Sequence, residues 1–309
     1  MRLTAGRTPS RRLSVLKRGL RRVAQASVLG AIVLLPFLHL YATLRAQGQR
    51  DALLEVPLWR LFSALLYPLG DPERLARSVQ GIPGWSIAIG PWSLSDPLVA
   101  LGTPAAFLSL IPSILLPVAL TLLVGRYFCG WVCPAGFLSE GISGLRKRLI
   151  ARGIRLPAWK VGSHWRYGLL GLGCAYALLG GISLFPWIYP PAVLGREVFA
   201  MIAWSQAGIG LAFLLGLGLA ELLIAPRLWC QSLCPGGALY ALMARYRLLR
   251  IRRDAAACVA CARCVQVCAF AQHPMTDRIG GDCTACGACV LACPTQALAL
   301  TLPRRKEAP

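Results

Sequence analysis

Acidic residues are scarce in this chain. Its 309 residues hold 12 Asp and Glu against 33 Lys and Arg, and only three His. Charged residues of all kinds make up 15%, where about 25% is usual for a soluble domain. That shortage, with 56% hydrophobic residues and a mean hydropathy of +0.59, excludes a disordered tail and an ordinary cytosolic enzyme. What is present in unusual number is cysteine, at 13. A secreted disulfide scaffold would spread its cysteines through a short chain, which this one does not. The composition points to a membrane protein with a thiol-rich part.

A bilayer core about 30 Å thick takes about 20 mostly apolar residues per helical span. Four stretches meet that length: 23–44, 98–124, 167–189 and 198–224. The first is longer than a signal-peptide core and reads as a basic anchor. The bases set the orientation. Segments 1–22, 125–166 and 226–309 carry 27 Lys and Arg, against six in 45–97 and 190–197. Both termini are therefore expected in the cytoplasm, and the formal charge of +21 becomes a topology signal and an affinity for anionic lipid. Because the bases are spread over three segments beside spans, nucleic acid is not an expected partner. Cysteine is missing from both outer stretches. Twelve of the 13 lie in the inner segments and Cys174 lies in the third span. Clustered thiols on the reducing side suit metal better than disulfides.

The chain repeats itself. Arg126-Tyr-Phe-Cys129-Gly-Trp-Val-Cys133-Pro134-Ala-Gly136-Phe-Leu138 matches Arg227-Leu-Trp-Cys230-Gln-Ser-Leu-Cys234-Pro235-Gly-Gly237-Ala-Leu239, 101 residues later and with six identities. Each copy follows an even-numbered span. The expected layout is two helix pairs, each closed by a C-x3-C-P element, which would gather Cys129, Cys133, Cys230 and Cys234 near the inner surface. Buried structural cysteines, a transient dithiol, copper or zinc, and a shared iron–sulfur cluster all remain open readings of those four.

Beyond residue 245 the signal is more specific. Cys258-Val-Ala-Cys261-Ala-Arg-Cys264-Val-Gln-Val-Cys268 is C-x2-C-x2-C-x3-C, and Cys283-Thr-Ala-Cys286-Gly-Ala-Cys289-Val-Leu-Ala-Cys293-Pro294 repeats it. This is the run of bacterial two-cluster ferredoxins, in which the fourth Cys serves the other cluster. Cluster one then takes Cys258, Cys261, Cys264 and Cys293. Cluster two takes Cys283, Cys286, Cys289 and Cys268. A zinc site would show separated C-x2-C pairs or Cys with His. The first run has Ala269 where proline is usual. Residues 247–251 and 297–302 read as flanking strands. The domains expected are a basic N-terminus (1–22), a four-helix membrane domain (23–225), a ferredoxin-like module (246–302) and a basic tail (303–309).

Ionisable groups within apolar spans are functional candidates by default. Here they are His39 and Glu221, with His164 just before the third span. Gly208, Ala212, Gly216 and Ala220 form a small-residue stripe that reads as a packing face. Phe128, Trp131, Trp187, Tyr189 and Trp229 fall where interfacial aromatics belong.

In this order of four spans, two C-x3-C-P elements and two ferredoxin runs, the chain resembles the NapH/MauN-type membrane ferredoxins. The resemblance implies a fold that is membrane α-helical, with four transmembrane helices in two pseudo-repeated pairs, plus a small C-terminal α+β two-cluster ferredoxin-like domain. It implies two [4Fe–4S] clusters and quinol dehydrogenase or electron-transfer activity in a periplasmic nitrate reductase or methylamine system. The quinone pool, membrane lipid, a second ferredoxin-type or cytochrome subunit and a periplasmic redox enzyme are the expected partners. Glu221, His39 and His164 would then accept protons from quinol. The alternative is a maturation factor that supplies electrons for metal, cofactor or disulfide reduction in a partner enzyme. The expected home is the bacterial inner membrane.

Overall fold

In the computed structural model, residues 11–47, 79–82, 86–89, 91–159, 161–204 and 206–302 are described. The chain is mostly helical and divides into two compact units: residues 27–116 with 173–219, and residues 1–26 with 117–172 and 220–309.

Helix α1 (Arg11–Ala46) contains the first apolar stretch and has Pro36 inside it. A three-stranded antiparallel sheet follows, β1 (Val79–Ile82), β2 (Ser86–Ile89) and β3 (Trp92–Ser95), with Gly81 opposite Ile87 and Ile87 opposite Leu94. These short strands carry no run long enough to announce a sheet in sequence. Trp92 on β3 is exposed, while Trp59, Tyr67 and Trp85 lie outside the described residues.

The expected second span resolves into α2 (Pro97–Gly102), a 3-10 turn and α3 (Phe107–Val124). Asp96 caps α2 by accepting from the Leu98 N–H at 2.8 Å, and its other oxygen accepts from the Tyr189 hydroxyl at 2.8 Å. Among the described residues two helical segments are long and apolar enough to cross a membrane, Gly19–Leu38 and Pro104–Val124.

The third and fourth stretches are interrupted. After α4 (Tyr127–Trp131) and α5 (Pro134–Ala151), the third becomes α6 (Trp165–Gly180) and α7 (Phe185–Ile188). The break follows from Gly181, at φ +65°, and from Phe185, whose ring lies where a Cβ on Gly173 would stand, 2.3 Å away. The fourth becomes α8 (Pro190–Trp204) and α9 (Ile209–Leu223). Buried Glu197 holds that break, accepting from the Gly208 N–H at 2.9 Å. The small-residue stripe is therefore not one packing face. Gly208 precedes the helix and makes room for Glu197, and a Cβ on Gly216 would meet nothing within 4 Å. The aromatic belt is likewise partial: Trp187 is exposed, whereas Tyr189 and Phe128 are buried, Phe128 stacked on Tyr240 at 5.1 Å.

A π-helical turn (Trp229–Leu233) leads into α10 (Pro235–Met243). The C-terminal module holds β4 (Arg250–Arg253), α11 (Arg263–Gln266), α12 (Ala288–Ala292) and β5 (Leu298–Thr301). The strands pair antiparallel with Ile251 opposite Leu300. Strand β4 starts later than its sequence suggests, because the N–H groups of Leu248 and Leu249 donate to the carbonyls of Leu122 and Leu123 at the end of α3. The core of the module is Ile251, Cys264, Cys289 and Leu298.

Candidate functional site

Each ferredoxin run turns sharply around its middle cysteine. Ala260 (φ 51°) and Ala262 (φ 56°) flank Cys261, and Ala285 (φ 50°) and Gly287 (φ 72°) flank Cys286. Left-handed backbone on both sides bends three thiols toward one side. A short helix then carries the third cysteine, Cys264 on α11 and Cys289 on α12. The fourth cysteine of each run accepts a backbone N–H on its sulfur: Gln272 donates to Cys268 and Ala297 to Cys293, both at 3.3 Å. Such bonds stabilise a thiolate.

One cavity is lined by Cys258, Cys261, Cys264 and Cys293, together with Met275 and Leu298. It thus brings the last cysteine of run two to the first three of run one. Cys283, Cys286, Cys289 and Cys268 act on one another electrostatically. Burial and those thiols push Cys289 up to about 12. None of the 13 cysteines forms a disulfide. Among the described residues no three His, Cys, Asp or Glu side chains converge as one metal ion requires. Four thiols spaced around a cavity, soft donors only, fit a polynuclear iron–sulfur group better than a zinc ion.

The C-x3-C-P elements lie beside the second run. Cys133 and Cys234 cap α5 and α10, accepting on sulfur from the N–H groups of Gly136 and Gly237, both at 3.3 Å. The guanidinium of Arg126, fully buried, stands 3.7 Å from the Cys129 sulfur and 3.5 Å from the Cys230 carbonyl. It also pairs with Asp282, which accepts from Arg166 at 2.7 and 2.9 Å. Burial alone would raise the Asp282 carboxyl. The Arg166 hydrogen bonds and the charge of Arg126 outweigh it and hold the group below the usual carboxylate range. Burial, with the charge of Glu221, pushes Cys230 up to about 12. The Arg126 N–H donates to the Cys283 carbonyl at 3.3 Å, and Gln231 donates to the Ala269 carbonyl at 2.6 Å. Gly130 and Gly281 permit close approach: a Cβ on Gly130 would stand 2.9 Å from Thr284, and one on Gly281 would stand 2.1 Å from the Ala241 carbonyl. The Gly130 carbonyl in turn accepts from Arg21 and Gln25.

The three proton-acceptor candidates are not brought together by anything described. Glu221 is buried and accepts from the Ser139 hydroxyl at 2.5 Å. His164 is exposed in the turn before α6, against Trp165. His39 lies in α1, its side chain outside the described residues. Sequence reasoning passed over Arg126, Arg166, Asp282 and Phe270. Two signals were available. Arg126 and Arg227 are the first identity of the repeat, and Asp282 is a lone acid directly before Cys283.

Two protein-family models, both described as a 4Fe-4S binding domain, match the chain. One covers residues 106–153 and 206–254, and the other residues 280–299. The chain is 35% identical to the ferredoxin-type protein NapH of Haemophilus influenzae over 60% of its own length and 64% of the relative's, a little under two thirds. It is 31% identical to the methylamine utilization ferredoxin-type protein MauN of Methylobacillus flagellatus over 71% of its own length and 76% of the relative's. The chain belongs to the NapH/MauN-type ferredoxin family. The regions of this NapH/MauN-type chain that match as 4Fe-4S binding are those of the two C-x3-C-P elements and of the second ferredoxin run. No solved structure matches.

Proposed function

We propose that the protein is a membrane-bound electron-transfer subunit linking the quinol pool to a periplasmic redox enzyme system of the nitrate reductase or methylamine dehydrogenase kind. The observation that carries the electron-transfer part is the cavity shared by Cys258, Cys261, Cys264 and Cys293. When bound, [4Fe–4S] clusters supply one-electron acceptance and donation. The chain's own residues hold and orient them. Cys258, Cys261, Cys264 and Cys293 hold one, and Cys283, Cys286, Cys289 and Cys268 the other.

Four membrane spans, with the ferredoxin module and both termini cytoplasmic, belong to the same proposal. Leu108, Leu115, Leu172, Leu179, Leu215 and Leu219 all face outward, with Leu179 90% exposed. So many exposed leucines suit lipid contact. Glu221, bonded to Ser139, is the best placed of the three candidates to hold a proton taken from quinol.

Anaerobic EPR on the purified chain tests this, comparing a menaquinol analogue with dithionite as reductant. A [4Fe–4S] signal under both reductants is the expected result. A signal under dithionite alone overturns the quinol link and favours the maturation-factor reading.

A further inference from the structure

We propose that Arg247 makes the group held by the second ferredoxin run the more easily reduced of the two, so that an electron in the module comes to rest beside the C-x3-C-P elements. The inference rests on the electron-transfer reading above, in which Cys258, Cys261, Cys264 and Cys293 hold one group and Cys283, Cys286, Cys289 and Cys268 the other.

Arg247 is a buried cation, 5% exposed, surrounded by neutral acceptors. Its guanidinium donates to the carbonyls of Gly280 at 2.7 Å, Ile279 at 3.1 Å and Ala244 at 3.2 Å. Carbonyls satisfy its N–H groups but leave its charge in place. Burial works against that charge, and so does Arg250, while Cys283 works in its favour. The effect is mutual. Burial pushes the Cys283 thiol up, and the Ala285 N–H and the charge of Arg247 oppose it. The two lie side by side, since a Cβ on Gly125 would stand 2.9 Å from the Arg247 Cδ and 3.2 Å from the Cys283 carbonyl oxygen.

The first run has an arginine under the opposite conditions. Arg253 lines the cavity of that run and bonds to Cys258. Asp277 accepts from it at 3.3 Å, and the two side chains are 27% and 49% exposed. Pairing and solvent cancel most of that charge. Asp282 does not do the same for run two, because its one carboxylate is divided between Arg126 and Arg166. The surplus of positive charge therefore lies with run two.

An iron–thiolate group gains one negative charge on reduction, so an unscreened cation beside it favours the reduced form. Exposure acts the other way, for Cys261 is exposed and Cys289 is buried. Arg247 outweighs exposure because it is buried with the second run, where its field is least screened. The transfer moves one electron. The first-run group goes from [4Fe–4S]+ to [4Fe–4S]2+ and the second-run group makes the reverse change, with no proton moved and no bond broken.

The test is a mediated redox titration followed by EPR on the full-length protein in detergent, with Cys268→Ser and Cys293→Ser telling the two signals apart. In the wild type the second-run signal should appear first as the potential is lowered. Arg247→Gln keeps a hydrogen-bond donor and drops the charge. It should cut the reduced-to-oxidised ratio of that signal about tenfold at fixed potential, about 59 mV for one electron, and leave the first-run signal in place. Arg247→Lys should restore the wild-type order, and Arg253→Gln should move the first-run signal much less. An equal shift of both signals, or none, overturns the proposal, as does a first-run signal that appears first in the wild type. If Arg247→Gln does not accumulate, the wild-type order and the Arg247→Lys titration decide. Fewer than two [4Fe–4S] signals in the wild type would defeat the electron-transfer reading and the proposal with it. Two signals without the selective shift defeat the proposal alone.

Discussion

Arg126 and Arg227, at equivalent positions of the repeat, each place a guanidinium carbon 5.2 Å from the centre of the same ring, Phe270. The ring lies two residues beyond Cys268. One aromatic side chain of the ferredoxin module is thus held by both halves of the repeat. Replacing Phe270 by Leu should weaken the module by about 1–3 kcal/mol, from two lost cation–π contacts and some lost packing. The readout is the protease resistance of residues 246–302 within the full chain. Unchanged resistance would mean that the ring bears no part of the attachment.

Asp282 should matter more than Arg166. Without the carboxylate, Arg126 stays buried with no carboxylate partner, a loss of about 2–4 kcal/mol once the partial exposure of Asp282 is allowed for. Arg166→Met leaves Asp282 still paired with Arg126 and should cost about half as much or less. Thermal unfolding of Asp282→Asn and Arg166→Met in detergent compares them, and equal shifts would contradict the assignment.

Two glycines give opposite outcomes. A Cβ on Gly281 would meet the Ala241 carbonyl at 2.1 Å, and backbone cannot swing aside. Gly281→Ala should therefore separate the module from α10 and cost about 1–3 kcal/mol. Gly144, within α5, has nothing within 4 Å of such an atom. Gly144→Ala should be neutral or stabilise by about 0.5–1 kcal/mol. The melting temperature of Gly281→Ala should fall, and that of Gly144→Ala should hold or rise.

The shared cavity makes a ligand swap testable. Cys293→Ser, although in run two, should disturb the iron held with Cys258, Cys261 and Cys264 and leave the other signal intact. Cys268→Ser should do the reverse. EPR of each variant under dithionite separates the two. Loss of the signal belonging to the variant's own run would reverse the assignment.

Local features were legible in sequence and distant ones were not. The cysteine runs, with their strands at 250–253 and 298–301, are set by spacing within a few residues. The Arg126–Asp282 pair joins residues 156 apart, so nothing near either one announces the other. Strand β4 begins three residues late because Leu248 and Leu249 bond to α3 instead of to β5. The third and fourth apolar stretches read as continuous because hydropathy does not register Gly181, or a carboxylate such as Glu197 folding onto a backbone N–H.

The left-handed alanines give the module a particular fragility. Ala260, Ala262, Ala271 and Ala285 sit at φ between 50° and 56°, a conformation that costs an L-residue about 1–2 kcal/mol each. A chain of this kind keeps such turns only while something stronger holds their ends. Iron–thiolate bonds at the neighbouring cysteines are strong enough to do so. Stripped of iron, these loops are cocked springs, and the expected consequence is unwinding from the alanines outward.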